Sequence, residues 1–189
     1  MLTSRGPAAS LRLHRLGRRF FSRSSPEVAR ALLGCWLVSR MDGVARAVQI
    51  CETEAYLGEA DPASHARMGP TPRNLPMYGP PGFAYVYLIY GMHHCLNVVT
   101  GPQGRAEAVL LRGARPSPHL PGRRLDGPAR LCAALGIDLS QNRLDLCQRS
   151  GGTLWLEAGA APEEEVLVGP RVGVSDPSPL RFRIGSASA

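Results

Sequence analysis

The chain predicts an α+β fold: a single mixed domain with a curved antiparallel β-sheet, a protruding β-hairpin and short helices around it. Three observations lead there. The 189 residues suit one well-packed domain and are short for two. Apolar runs rich in aromatic and β-branched residues follow one another across turn residues, the pattern of sequentially paired antiparallel strands. Only two segments carry a helix start and stop signal, so helices are few. No internal repeat is visible.

The elements follow in order. In "SSPEVARALLG", Ser25 is the expected N-cap, Pro26 the first helical residue, Glu27 the first-turn acid and Gly34 the stop, which predicts a helix over about residues 26–33. "CWLVSR", "MDG" and "VARAVQICETEAY" predict a strand, an Asp-Gly turn and a second strand. Residues 57–82 hold many Gly and Pro and predict a long structured surface loop. "FAYVYLIY", the turn around "GMHH" and "CLNVVT" form the expected hairpin. "AEAVLLR" predicts a strand ending at Arg112, and "DGPARLCAALG" a helix with Asp126 before its start, Pro128 in its first turn and Gly136 as its stop. "TLWLE", "PRVGV" and "LRFRI" are expected as short later strands.

With 44% hydrophobic and 20% charged residues, the composition is that of a soluble globular protein, and no apolar run reaches the ~18 residues of a membrane helix. Cys35, Cys51, Cys95, Cys132 and Cys147 are widely spaced and form no C-x-x-C pair. Buried thiols in a reducing cytosol are therefore preferred over a zinc ribbon or disulfide scaffold. The net charge of +7 is unevenly placed: Arg5, Arg12, Arg15, Arg18, Arg19 and Arg23 precede the first acid, Glu27. The rest carries 16 basic residues, what remains of 22, against 15 acids. Residues 1–24 are thus expected as a basic, flexible arm and residues 25–189 as the domain. The arm fits a DNA-attracting tail, a mitochondrial-type targeting segment or an extension without a role. The first and last are preferred, because a chain with no lysine suggests a G·C-rich genome in which arginine is common everywhere. The expected location is the cytoplasm, at a bacterial nucleoid, with organelle targeting by the arm as the open alternative.

Two stretches could carry chemistry. In "CETEAYLGEADPASHARMG", strand alternation puts Glu52, Glu54 and Tyr56 on one face, each about 7 Å from the next. The carboxylates could be a catalytic pair, a base and a bystander, or the acidic decoration of a solvated edge. In "YVYLIYGMHHCLNVV", Tyr85 and Tyr87 share a face while Tyr90 sits at the hairpin tip beside Gly91 and Met92. Rings in a cleft and a ring on a protruding turn suit a planar ligand and a wedge between stacked bases; plain sheet packing is the alternative. His93 and His94 point to opposite faces, and no second ligand set stands at metal spacing, so no metal and no cofactor is expected. The zinc deaminase signature, the phosphate loop and the G-x-S-x-G elbow are missing. Without lysine, only the α-amino group could form a Schiff base. An enzyme of this sequence acting at a sugar carbon must then use water, and a carboxylate base is required, for which Glu54 is the candidate.

"ETEAYLGEADPASHA", "TPRN", "YVYLIYGMHHCLNVV", "AVLLRGARP", "GPARLCAALGI", "RVGV" and "PLRF" occur in this order, and with them the chain strongly resembles the 3-methyladenine (alkyladenine) DNA glycosylase family from about Leu16 to Ile184. The resemblance implies a monomeric, cofactor-free enzyme that flips a damaged purine out of duplex DNA and hydrolyses its N-glycosidic bond without cutting the backbone. It implies that Glu54 is the base that deprotonates water, aided by Arg112 and the backbone of Val172. Tyr56 would stack on one face of the flipped base, His65 and Tyr87 on the other. Asn97 would exclude the 2-amino group of guanine, and Tyr90, with Met92, would fill the gap in the duplex. Alkylated purines (3-methyladenine, 7-methylguanine) are the implied substrates, with hypoxanthine and ethenoadenine as further candidates. Cationic alkylated rings are attracted to electron-rich tyrosine faces by roughly 0.5–2 kcal/mol per contact. Two departures stand out. "SPHLPGRR" between Pro116 and Asp126 is shorter than in the family, and "TGPQGRAEA" is longer than in some members. A catalytically silent reader of damaged nucleic acid and a glycosidase of free nucleosides are the competing readings.

Overall fold

The computed structural model describes residues 14–41 and 43–185. An eight-stranded sheet, antiparallel throughout, curls around the core: β1 (Trp36–Met41), β2 (Val44–Leu57), β3 (Ala84–Ile89), β4 (His93–Thr100), β5 (Glu107–Ala114), β6 (Leu154–Glu157), β7 (Val166–Gly169) and β8 (Arg181–Ile184). The main path runs β3-β4-β5-β2-β1-β6, and β8 pairs with both β2 and β7. Helices α1 (Arg18–Phe21), α2 (Ser25–Ala31) and α3 (Pro128–Leu135) are short. This is the mixed α+β domain with a curved antiparallel sheet that the sequence predicts.

The long strand β2 organises the sheet. Its first half pairs with β1 and its second half lies between β5 and β8, so residues 52–54 are hydrogen-bonded on both sides. Such a central position is inaccessible to water at the backbone and holds side chains in fixed register. Opposite Glu52 and Thr53 the register with β5 skips Arg112, a bulge that re-aims this side chain and carries the strand beyond the predicted end to Ala114.

Two apolar clusters divide the interior. The larger joins α2, α3 and one face of the sheet through Phe21, Leu32, Leu37, Ile50, Leu96, Leu111, Leu131 and Leu156. The smaller lies under the 58–82 loop and contains Ala66, Met77, Tyr85, Val99, Ala106 and Ala108, flanked by Phe83 and Tyr87. The loop is structured, as expected, and includes 3-10 turns at Gly58–Ala60 and Leu75–Tyr78. Its entry requires glycine: Gly58 has φ 77°, and a Cβ there would meet the Arg105 carbonyl oxygen at 2.2 Å.

Local differences from the sequence reading have simple causes. The N-cap of α2 is Ser24, not Ser25, because the reciprocal capping box forms between Ser24 and Glu27. Ser25 is buried, with its backbone N–H bonded to the Glu107 carboxylate at 2.8 Å. Asp126 stands before α3 as expected, with Gly127 as the N-cap between them, and it pairs with Arg124 and Arg130. "PRVGV" is a loop; the strand expected there is the preceding Val166–Gly169. Of the expected 1–24 arm, residues 1–13 lie outside the described residues. Residues 14–24 pack on the domain: Leu16 and Phe21 are buried, and Arg18 pairs with Asp145 at 2.6 Å. Asp42 of the expected turn is also outside the described residues, while β1 and β2 pair up to Met41 and Val44 on either side of it.

Candidate active site

One transverse row of the sheet forms the floor of the site. Tyr85 is opposite Asn97, Asn97 opposite Leu110, Leu110 opposite Glu54, and Glu54 opposite Arg181. Directly paired residues on adjacent strands share a face and stand about 5 Å apart, so this register alone aligns Tyr85, Asn97, Leu110 and Glu54. The next row contributes Tyr87 opposite Cys95. Above them lies a cavity of ≈ 250 Å³, closed laterally by the 58–82 loop and by residues 172–174.

Eight of the nine sequence-derived residues line this cavity: Glu54, Tyr56, His65, Tyr87, Tyr90, Asn97, Arg112 and Val172. The ninth, Met92, sits 70% exposed at the hairpin tip. Of the two carboxylates left open by strand alternation, Glu54 lines the cavity. Glu52 is bonded to Arg112 Nε at 3.1 Å and faces Arg181 Nη1 at 3.5 Å. Tyr85, which the sequence places on the same strand face as Tyr87, also lines it; Ala63, Met77, Ile89, Cys95 and Leu110 complete much of the wall, small or apolar residues without a sequence signature.

Glu54 is fully buried and held on both oxygens. Its Oε1 accepts the Val172 N–H at 2.8 Å and lies 3.5 Å from Arg112 Nε; its Oε2 accepts the Tyr56 hydroxyl at 3.1 Å. A buried carboxylate that keeps its charge requires such compensation. Burial, then the adjacent Glu54 charge, pushes the Tyr56 phenol well above its ordinary range, so this hydroxyl stays a donor. Burial likewise raises Tyr87 strongly and Tyr85 to about 12.

The aromatic wall is built from His65, Tyr85 and Tyr87. His65 Nδ1 lies 2.9 Å from the Tyr85 hydroxyl, and the His65 and Tyr87 rings meet edge to face at 4.6 Å. Burial, followed by the nearby Arg73 charge, lowers the His65 pKa, so the neutral imidazole is favoured. Asn97 is buried and donates from Nδ2 to the Tyr85 carbonyl at 3.2 Å, which fixes its amide at the cavity floor.

At the hairpin tip, Tyr90 and Gly91 both have positive φ, 52° and 69°. The tight turn they form is closed by the Met92 N–H on the Ile89 carbonyl, and it matches the strand twist. A non-glycine residue there costs roughly 1–2 kcal/mol. Tyr90 is 90% exposed, so its side chain gains little from packing to offset that cost.

Sequence reasoning missed Arg171. Its guanidinium is buried, bonds Asp61 through Nη2 at 2.8 Å, Asp176 at 2.8 Å and the Ala55 carbonyl at 2.9 Å, and stacks 4.6 Å from the Tyr56 ring centroid. It adjoins Val172 in the chain, so it locks the loop whose N–H holds Glu54. Asp61 sits 110 positions away from Arg171, and no local pattern announces the pairing.

The site thus combines a buried, hydrogen-bonded carboxylate, an aromatic cavity and an exposed ring beside its mouth. Comparison with known proteins identifies the family. The family model of methylpurine-DNA glycosylase matches residues 19–188. A protein of Myxococcus xanthus named "Putative 3-methyladenine DNA glycosylase" is 52% identical over 161 residues, covering 84% of this chain and 81% of its own length. Proteins of the same name from Anaeromyxobacter dehalogenans strain 2CP-C and Clostridium tetani are 52% and 40% identical. They cover 89% and 85% of this chain and 80% and 88% of their own lengths. The chain belongs to the methylpurine-DNA glycosylase family, DNA-repair hydrolases that act on N-glycosyl bonds.

Proposed function

We propose that this enzyme flips alkylated purines, 3-methyladenine and 7-methylguanine first among them, out of duplex DNA and releases them by hydrolysis. The observation that carries this reading is Glu54: buried on the cavity floor, with each oxygen fixed by a donor, in a cavity lined by Tyr56, His65, Tyr85 and Tyr87. Water attacks the anomeric carbon as the bond to the purine nitrogen breaks. Glu54 takes the proton from that water, and the bonding electrons leave with the base, yielding free base and an abasic sugar. A cationic alkylated purine leaves as a neutral molecule and needs little acid assistance. Glu54 also offsets the positive charge that develops on the sugar.

Arg112 and the Val172 N–H orient the carboxylate and its water. Tyr56 stacks on one face of the base, His65 and Tyr87 on the other, and Asn97 meets the purine edge where guanine carries its 2-amino group. Tyr90, helped by Met92, fills the vacated stack; unstacking costs a few kcal/mol and less at a damaged base, which favours lesions. Hypoxanthine and ethenoadenine belong to the same proposed range. A monomer acting in the cytoplasm suits this reading; none of the helices among the described residues is long and apolar enough to cross a membrane. Single-turnover incubation with duplexes carrying one lesion, followed by alkali to reveal abasic sites, tests it. Strand breaks at the lesion are expected. Tight binding without release from any substrate would move the protein to the class of lesion readers.

A further inference from the structure

The Tyr56 ring separates the cavity from a buried charge cluster that the reaction does not use directly. Tyr56 lines the cavity; Arg171 lies against the ring at 4.6 Å and is not among the lining residues, so the ring stands between guanidinium and cavity. Arg171 pairs with two carboxylates, Asp61 (2.8 Å from Nη2) and Asp176 (2.8 Å), with side chains 0%, 1% and 17% exposed in that order. Burial alone would raise Asp61, but the bonds from Arg171 and from the Leu57 and Ala63 N–H groups outweigh it and hold the acid below its ordinary range. Arg171 thus faces two carboxylates, and one arginine against two acids gives the cluster a formal charge of −1. One carboxylate would suffice to neutralise and hold the arginine. The second, Asp176, is partly exposed at an adjoining cleft and also accepts the Ser178 hydroxyl at 3.1 Å; its negative charge, partly screened there, acts on whatever lies across the ring.

We infer that Asp176, through the Arg171 pair and the Tyr56 ring, biases the pocket toward purines that carry a positive charge, and so is a specificity-determining residue acting at a distance. The inference rests on the proposed stacking of the base on Tyr56. It assigns the preference for cationic lesions partly to fixed charge behind the ring and not only to the ring faces.

The test uses an isosteric pair: duplexes with one 3-methyl-2′-deoxyadenosine, stabilised by a 2′-fluorine against cleavage, or its neutral 3-deaza analogue. The ratio of their dissociation constants is measured for the wild type, Asp176→Asn and Asp176→Glu. Asparagine keeps an acceptor for Arg171 while removing the charge. Asp176→Asn is expected to weaken binding of the cationic duplex about three- to fivefold relative to the neutral one, the scale of a unit charge across a partly screened gap. Asp176→Glu is expected to restore the wild-type ratio. Equal weakening of both duplexes, or an unchanged ratio, would overturn the inference by reducing Asp176 to a loop support. If Asp176→Asn is insoluble, Asp176→Ser removes the same charge, keeps a hydroxyl and carries the same prediction. Wild-type release of unprotected 3-methyladenine, run in parallel, separates failure of this inference from failure of the functional reading beneath it.

Discussion

Replacing Glu54 by Gln isolates the proposed base with little disturbance to its surroundings. The amide oxygen can keep the bond from the Val172 N–H (2.8 Å), and the amide nitrogen takes the place of Oε2 beside the Tyr56 hydroxyl (3.1 Å), which need only rotate to accept. One hydrogen bond is reversed, worth about 1 kcal/mol, and the cavity volume is unchanged. Lesion binding should therefore persist. The amide cannot take a proton from water, and loss of a positioned base costs about 10²–10⁴ in rate, or roughly 3–5 kcal/mol of transition-state stabilisation. Single-turnover base release, read as alkali-labile sites, should fall by that factor while the dissociation constant for lesion duplex changes little. Wild-type rates of release from the Gln variant would refute the assignment, and so would release and binding lost in equal measure.

Three further outcomes follow from the same geometry. Tyr90→Ala should leave the melting temperature unchanged and weaken lesion-duplex binding about tenfold or more, while release from single strands changes less; equal effects on duplex and single strand would remove the wedge role. Arg171→Met should destabilise the fold by about 3–5 kcal/mol in a urea titration, because Asp61 and Asp176 lose their buried counter-charge. His65 has its pKa lowered from 6.5 by burial and then by Arg73, so below about pH 6.5 the unfolded chain binds a proton that the folded one resists, and stability falls as pH falls. The contribution is absent at pH 8, and His65→Gln should flatten that part of a melting-temperature profile between pH 7 and 5.

What the sequence made legible was local. Period-two alternation within "ETEAY" and "YVYLIY" is a property of each strand by itself, so the shared face of Glu54 and Tyr56 and that of Tyr85 and Tyr87 could be read directly. Which strands adjoin depends on long-range pairing: Asn97 reaches Glu54 only because Leu110 of β5 lies between them, and nothing within either segment encodes that. The bulge at Arg112 and the loop conformation of "PRVGV" were hidden for the same reason, since both are imposed by neighbours. Arg5 to Arg23 looked like one basic arm because charge dominates its composition. Two apolar residues, Leu16 and Phe21, decide that its second half packs.

The division between sheet and loops has a chemical consequence. Glu54 and Asn97 stand on strands paired on both sides, so changing their register would break ladders on each side. The Val172 N–H and His65 come from loops, which are free to vary in most proteins. Here Arg171 ties Asp61 of the first loop to Asp176 of the second and to the Ala55 carbonyl of β2, joining both loops to the strand that carries Glu54. Glu54 and the Val172 N–H that bonds it, 118 positions apart, are thereby held in one frame. Such fixed geometry is what the proposed reaction requires: a carboxylate preorganised at the cavity floor before any substrate arrives.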